Sequence, residues 1–287
     1  LGIAASLSER FPGVSFGVAT FEDYVALSRW DVDRPFRLVQ AQTTDVDAVR
    51  IALASRTPLG RGGDIPESGF EAIHQALTGV GHDAPGNNTC DGWHRYDTPP
   101  FLSRPGDAFG GEVPGVGPGP LGSGGGMGYR DGADPVLVLV SDAPFQPSGP
   151  CGGATQSDAI ADLVDTGAAL ILLEREWPYG DLVAAATAAG AVASSSPIAA
   201  EADDVLHAVV GGVSDVAGTY ETGADDPFGA VTGWAPLQRD PEGVATAALL
   251  TAPPSQQCPY EVPVEAWING PNGADRAAVV LVVRALD

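Results

Sequence analysis

The sequence predicts an α/β fold: a mostly parallel central sheet flanked by helices, followed by a small β-rich segment. Three observations predict it. Residues 136–140 and 168–173 are continuous apolar runs of strand length, as expected of parallel strands covered on both faces. Around these runs, apolar residues recur at helical spacing. After about Gly218 the pattern gives way to short stretches rich in Pro, Gly and aromatics.

In chain order, residues 1–11 read as the last turns of a helix, with Leu1, Ile3, Ala4 and Leu7 on one face. Residues 14–21 read as a buried strand, and 36–43 as a second, alternating through Phe36, Leu38 and Gln40. A helix follows, with Thr44 as N-cap, Asp47 three residues on as a variant capping box, and Val46, Val49 and Leu53 as its stripe. Pro66 suits the first turn of the next helix, whose apolar face is Phe70, Ile73 and Leu77 and which ends at Gly79.

Residues 80–128 lack periodicity and are rich in Gly and Pro, which predicts a long flexible surface insertion. Then strands at 136–140, 168–173 and 191–194 alternate with helices at 158–166, 181–189 and 201–213, predicting a parallel sheet with helices on both faces. The domain division expected is residues 1–216, carrying the insertion, and a β-rich module at 219–287 with strands at 262–268 and 279–284.

At 287 residues the chain has room for one large domain, or a medium and a small one, and 44% hydrophobic content is enough for a core. Acids outnumber bases 37 to 14, giving a net charge of −23; every base is arginine. That balance disfavours nucleic acid and anionic membranes and favours cations. The absence of lysine beside abundant Ala, Gly, Val and Asp points to a GC-rich bacterial genome. No run reaches the length of a membrane-spanning helix. Leu1 is not Met, so any targeting segment is expected upstream. The three cysteines, Cys90, Cys151 and Cys258, form no CxxC pair, and an odd count leaves one over.

Ligands of open α/β sheets bind beyond the carboxyl ends of the strands. Asp23 follows the first strand, Asp64 and Glu67 precede the helix after Pro66, and Asp142 follows the strand at 136–140. Carboxylates gathered on one rim would make a hard-cation site, because Mg²⁺ and Ca²⁺ take oxygen ligands. Taken singly, each acid reads as a solvated surface group.

Three pieces in order carry a family resemblance: Phe16-Gly-Val-Ala-Thr-Phe-Glu-Asp23; Gly63-Asp64-Ile65-Pro66-Glu67-Ser68-Gly69-Phe70-Glu71-Ala72-Ile73; and the segment from Gly128 through Ser141-Asp142-Ala143. Over residues 1–216 the chain resembles the von Willebrand factor A-type (vWA) domain of integrin β-subunits and its bacterial relatives. The middle piece is the most specific, since integrins carry a closely similar Asp-x-Pro-Glu-Gly-Gly-Phe-Asp-Ala-Ile run. The resemblance implies a vWA/Rossmann-like fold and a metal-ion-dependent adhesion site (MIDAS). It implies that Glu67 bridges the adhesion cation and a neighbouring one. Asp64, the Pro66 carbonyl and Asp23 would ligate the second cation, with Asp142 at the rim. It implies bound Mg²⁺, Ca²⁺ or Mn²⁺ with a position open for an acidic side chain of a protein ligand. It also implies that Cys90 pairs with Cys151, and hence an oxidising, extracellular or cell-surface location.

Departures accompany the likeness. The Asp-x-Ser-x-Ser loop that carries the primary ligands would precede Leu1, together with a central strand, and Gly62 stands where the family has Asn. Other signals read as structural. His82, Cys90 and His94 match no zinc-finger spacing. His74 reads as a satisfied residue and His207 has no acid motif around it. No GxSxG elbow supplies a hydrolase nucleophile, and no GxGxxG opens a helix. The expectation is therefore a cation-dependent, non-enzymatic adhesion module of an extracellular or surface protein. Its rival is a vWA scaffold with a degenerate metal site that mediates assembly without metal. An enzyme on the same sheet is the third reading.

Overall fold

The computed structural model describes residues 4–5, 7–8, 14–24, 33–55, 66–83, 90, 93, 97–174, 180–197 and 209, and beyond them the backbone of a set of strands between 221 and 283. The chain divides into two compact units, one of Leu1–Leu7 with Val14–Gly212, the other of Ser8–Gly13 with Val213–Asp287.

The first unit is a mixed α/β structure. β1 (Phe16–Thr20) and β2 (Arg37–Thr43) form an antiparallel pair running from Phe16 opposite Thr43 to Thr20 opposite Arg37. β3 (Val136–Ser141), β4 (Ala169–Glu174) and β5 (Val192–Pro197) form a separate parallel sheet in that order. The apolar run at β4 is a strand because it is covered: Leu170, Ile171, Leu172 and Leu173 are each 2% exposed or less. Each such side chain contributes about 1.5–3 kcal/mol by leaving water.

Helix α1 (Val46–Ala54) packs on the β1–β2 pair through Val49 and Ala52 against Val18, Phe16 and Val39. Its N-cap is Asp45, not Thr44: the Asp45 carboxylate accepts from the N–H groups of Asp47 and Ala48. Leu53, expected on the buried stripe, is 54% exposed, because Ala52 and Val49 form the inward face.

Helix α2 (Gly69–Thr78) starts at Ser68, so Pro66 lies in the approach to the helix and not in its first turn. It ends as expected at Gly79, which is left-handed (φ 62°). A Cβ there would meet the Gly125 carbonyl at 2.7 Å, so this glycine permits both the turn and the close pass of the neighbouring chain.

Helices α3 (Gln156–Thr166) and α4 (Gly180–Ala188) connect the parallel strands. Thr155 and Asp158 cap α3 with a reciprocal capping box, two residues earlier than the periodicity indicates. Phe70, Ile73 and Leu77 of α2, Leu163 of α3 and Leu182 of α4 all pack on the face of the sheet formed by Leu139, Leu170 and Leu172. On the opposite face Ile171 and Leu173 are buried, whereas Val138 and Val140 of β3 are 40% and 54% exposed. The expected coverage by helices is thus met on one face among the described residues.

The insertion is not wholly a surface feature. Phe101, Phe109 and Met127 are buried, and the segment is tied to α2 by hydrogen bonds from Phe101 N–H to the Gly79 carbonyl and from Gly126 N–H to the Ala76 carbonyl. Its glycines and prolines permit an irregular path, while its few large apolar side chains fix that path to the core. The helix expected at 201–213 lies outside the described residues, apart from the buried Val209.

In the second unit, β6 (Glu221–Asp225) pairs antiparallel with β11 (Tyr260–Gly270), which pairs antiparallel with β12 (Gly273–Val283). β7 (Val231–Trp234) pairs with β10 (Leu249–Thr251), and β8 (Gln238–Arg239) with β9 (Ala245–Thr246).

Candidate functional site

The expected rim forms at the carboxyl ends of β1 and β3, but its chemistry differs from the expectation. Residues 66–68 are laced between the segments that follow these two strands. Ser68 donates to the Glu22 carbonyl, Glu67 N–H to the Pro144 carbonyl at 2.8 Å, and Gln146 N–H to the Glu67 carbonyl at 2.8 Å. Phe21 and Phe70 each meet the Phe145 ring edge-on, and Phe145 lies against Gly69, where no side chain would fit. This packing does bring Asp23, Pro66 and Glu67 into one neighbourhood.

The group between Asp23 and Pro66 is an amide. Gln146 Nε2 donates to Asp23 Oδ1 at 2.6 Å and to the Pro66 carbonyl at 3.1 Å. Asp23 Oδ1 also accepts the Tyr24 N–H at 2.7 Å. Asp23 is 1% exposed and Gln146 9%. Two oxygens expected to ligate a cation therefore receive neutral donors instead.

Asp142 is solvent-exposed in the bend after β3, where the Ser141 hydroxyl bonds to the Ala143 backbone. Asp64 lies outside the described residues. Among the described residues no group of three or more His, Cys, Asp or Glu converges to hold a metal ion.

That finding overturns the cation-dependent adhesion reading, the Mg²⁺, Ca²⁺ or Mn²⁺ cofactor, and the protein ligand reached through an acidic side chain on the metal. The physical reason lies in what the expected ligands already do: Asp23 Oδ1 accepts the Gln146 amide and the Tyr24 N–H, the Pro66 carbonyl accepts the same amide, and Asp142 is solvent-exposed.

The expected disulfide is present: Cys90 and Cys151 are joined, with Cα atoms 5.6 Å apart. Cys151 sits in the turn at Pro150–Gly152 with φ 54°, a left-handed conformation otherwise taken here by glycines.

A second polar cluster escaped the sequence reading. Glu71 on α2 is 1% exposed, and its carboxylate accepts from Gln75 Nε2 at 2.8 Å, the Ala154 N–H at 2.6 Å and the Tyr24 hydroxyl at 3.2 Å. Gln75 in turn exchanges two 2.8 Å bonds with the Gly81 backbone. Burial, then the Glu71 charge, pushes the Tyr24 hydroxyl far above the ordinary phenol value, so it stays protonated and donates.

His82, 5% exposed, stacks edge-on against Tyr24 and has Nδ1 3.8 Å from Glu71 Oε1. Burial lowers its pKa despite the nearby carboxylates and keeps the ring neutral. On the same helix His74 Nδ1 meets Asp162 of α3 at 2.6 Å. Burial lowers its pKa, but the bond and charge of Asp162 more than offset that, and the net shift is upward.

Glu71 and Gln75 are four residues apart on the flank of α2 away from Phe70, Ile73 and Leu77. In sequence such a flank reads as solvated. What buries it are Tyr24, Gly81 and Ala154, from three irregular segments.

No helix among the described residues is long and apolar enough to cross a membrane. No protein-family model matches the chain, and no curated protein matches it.

Proposed function

We propose that this chain is a vWA-like scaffold with a degenerate metal site, which mediates protein assembly without metal and without catalysis. The ordered motifs around Asp23, Pro66–Glu67 and Asp142 support the vWA reading, as does a parallel β3–β4–β5 sheet with α3 and α4 in its crossovers. The Gln146 amide at Asp23 and Pro66 supports the metal-free form. The Cys90–Cys151 disulfide supports an extracytoplasmic setting.

The observation that carries the assembly role is β3. Its sequence is that of a strand covered on both faces, and among the described residues no strand pairs with its outer edge, while the vWA resemblance leaves a central strand of the sheet upstream of Leu1. Val138 and Val140 are exposed beside that edge. An unpaired edge flanked by β-branched apolar side chains is a template for pairing with another chain. For this chain taken by itself, the partner we assign to that edge is another copy, joined edge to edge about a two-fold axis.

Light scattering with the wild type and a V138K/V140K variant tests this. The wild type should associate at high micromolar concentration, equally with and without EDTA. Association should strengthen with salt as the repulsion between chains of charge −23 is screened. The variant, altered only at exposed positions, should keep its circular dichroism and remain monomeric. A wild type that is monomeric throughout, or that dissociates in EDTA, would overturn the reading.

A further inference from the structure

We draw no further inference here: the strongest candidate, the cleft of about 240 Å³ lined by β2, α2 and the segment at residues 97–101, with Arg34 and Arg37 on its wall, points to no ligand class, because both arginines are already engaged within the chain.

Discussion

Gln146 donates from one amide nitrogen to both Asp23 Oδ1 and the Pro66 carbonyl, 2.6 Å and 3.1 Å away, so a neutral side chain stands where two oxygens converge. Gln146→Ala removes that donor from a carboxylate that is 1% exposed. A hydrogen bond to a buried charge is worth about 1.5–3 kcal/mol, and the loss should appear in urea denaturation as a lower midpoint with an unchanged slope. In the wild type, neither EDTA nor added Ca²⁺ should move that midpoint.

This rim also shows what the sequence could convey. The apolar runs of β3 and β4 were legible because burial demands them, and Gly79 because a helix end demands a left-handed residue. Asp23 and Pro66 do approach each other, so the convergence was legible too. What fills the space between them was not. Two oxygens at one rim suit a cation or an amide donor equally, and Gln146 lies 123 residues from Asp23 in a stretch with no pattern of its own. The α1 cap was misplaced by one residue because Thr44 and Asp45 are both competent caps, and only the backbone geometry selects Asp45. Glu71 and Gln75 were illegible because their partners, Tyr24, Gly81 and Ala154, come from irregular segments with no periodicity to announce them.

Glu71 holds three donors from three parts of the chain: Tyr24, Gln75 and Ala154. Glu71→Ala strands the Tyr24 hydroxyl and the Ala154 N–H in the interior, whereas Gln75 retains its bond to Gly81. The expected cost is about 3 kcal/mol or more. Glu71→Gln keeps the shape but offers one acceptor oxygen, and should cost about half as much. Denaturant melts of both variants check the order; equal or negligible losses would show that this carboxylate does not organise the cluster.

The two histidines near α2 should respond to acid with opposite signs. His74 has its pKa raised above the ordinary 6.5, so it binds its proton more tightly folded than unfolded. Its contribution is fully present below 6.5 and fades as pH rises through the folded value. His82 has its pKa lowered, so its contribution is present above 6.5 and is lost as pH falls toward the folded value. His74→Gln should therefore cost most in mild acid and little in mild alkali. H82F should flatten the loss of stability on acidification. Melts of the two variants across this range, referenced to wild type, give curves that diverge toward low pH; parallel curves would contradict the assignment.

The disulfide closes a loop across a sequence separation of 61 residues, spanning most of the insertion and β3. Restricting an unfolded loop of that length is worth about 4 kcal/mol on the chain-entropy estimate. A C90S/C151S variant should lose a comparable amount, and the wild type under reductant should fall to the same level. The loss should exceed that of Gln146→Ala, because the link acts on the whole unfolded ensemble and the amide on one rim. The Cys151 end carries a second consequence. Its left-handed turn leads in two residues to Gly153 and then to Ala154, whose N–H reaches Glu71 at 2.6 Å. Once the bond is cut, this turn is free to relax, and protection of the Ala154 amide against hydrogen exchange should drop by more than that of the amides in β4. Uniform loss across both would mean that the disulfide stabilises the fold only globally and does not hold the Glu71 cluster in register.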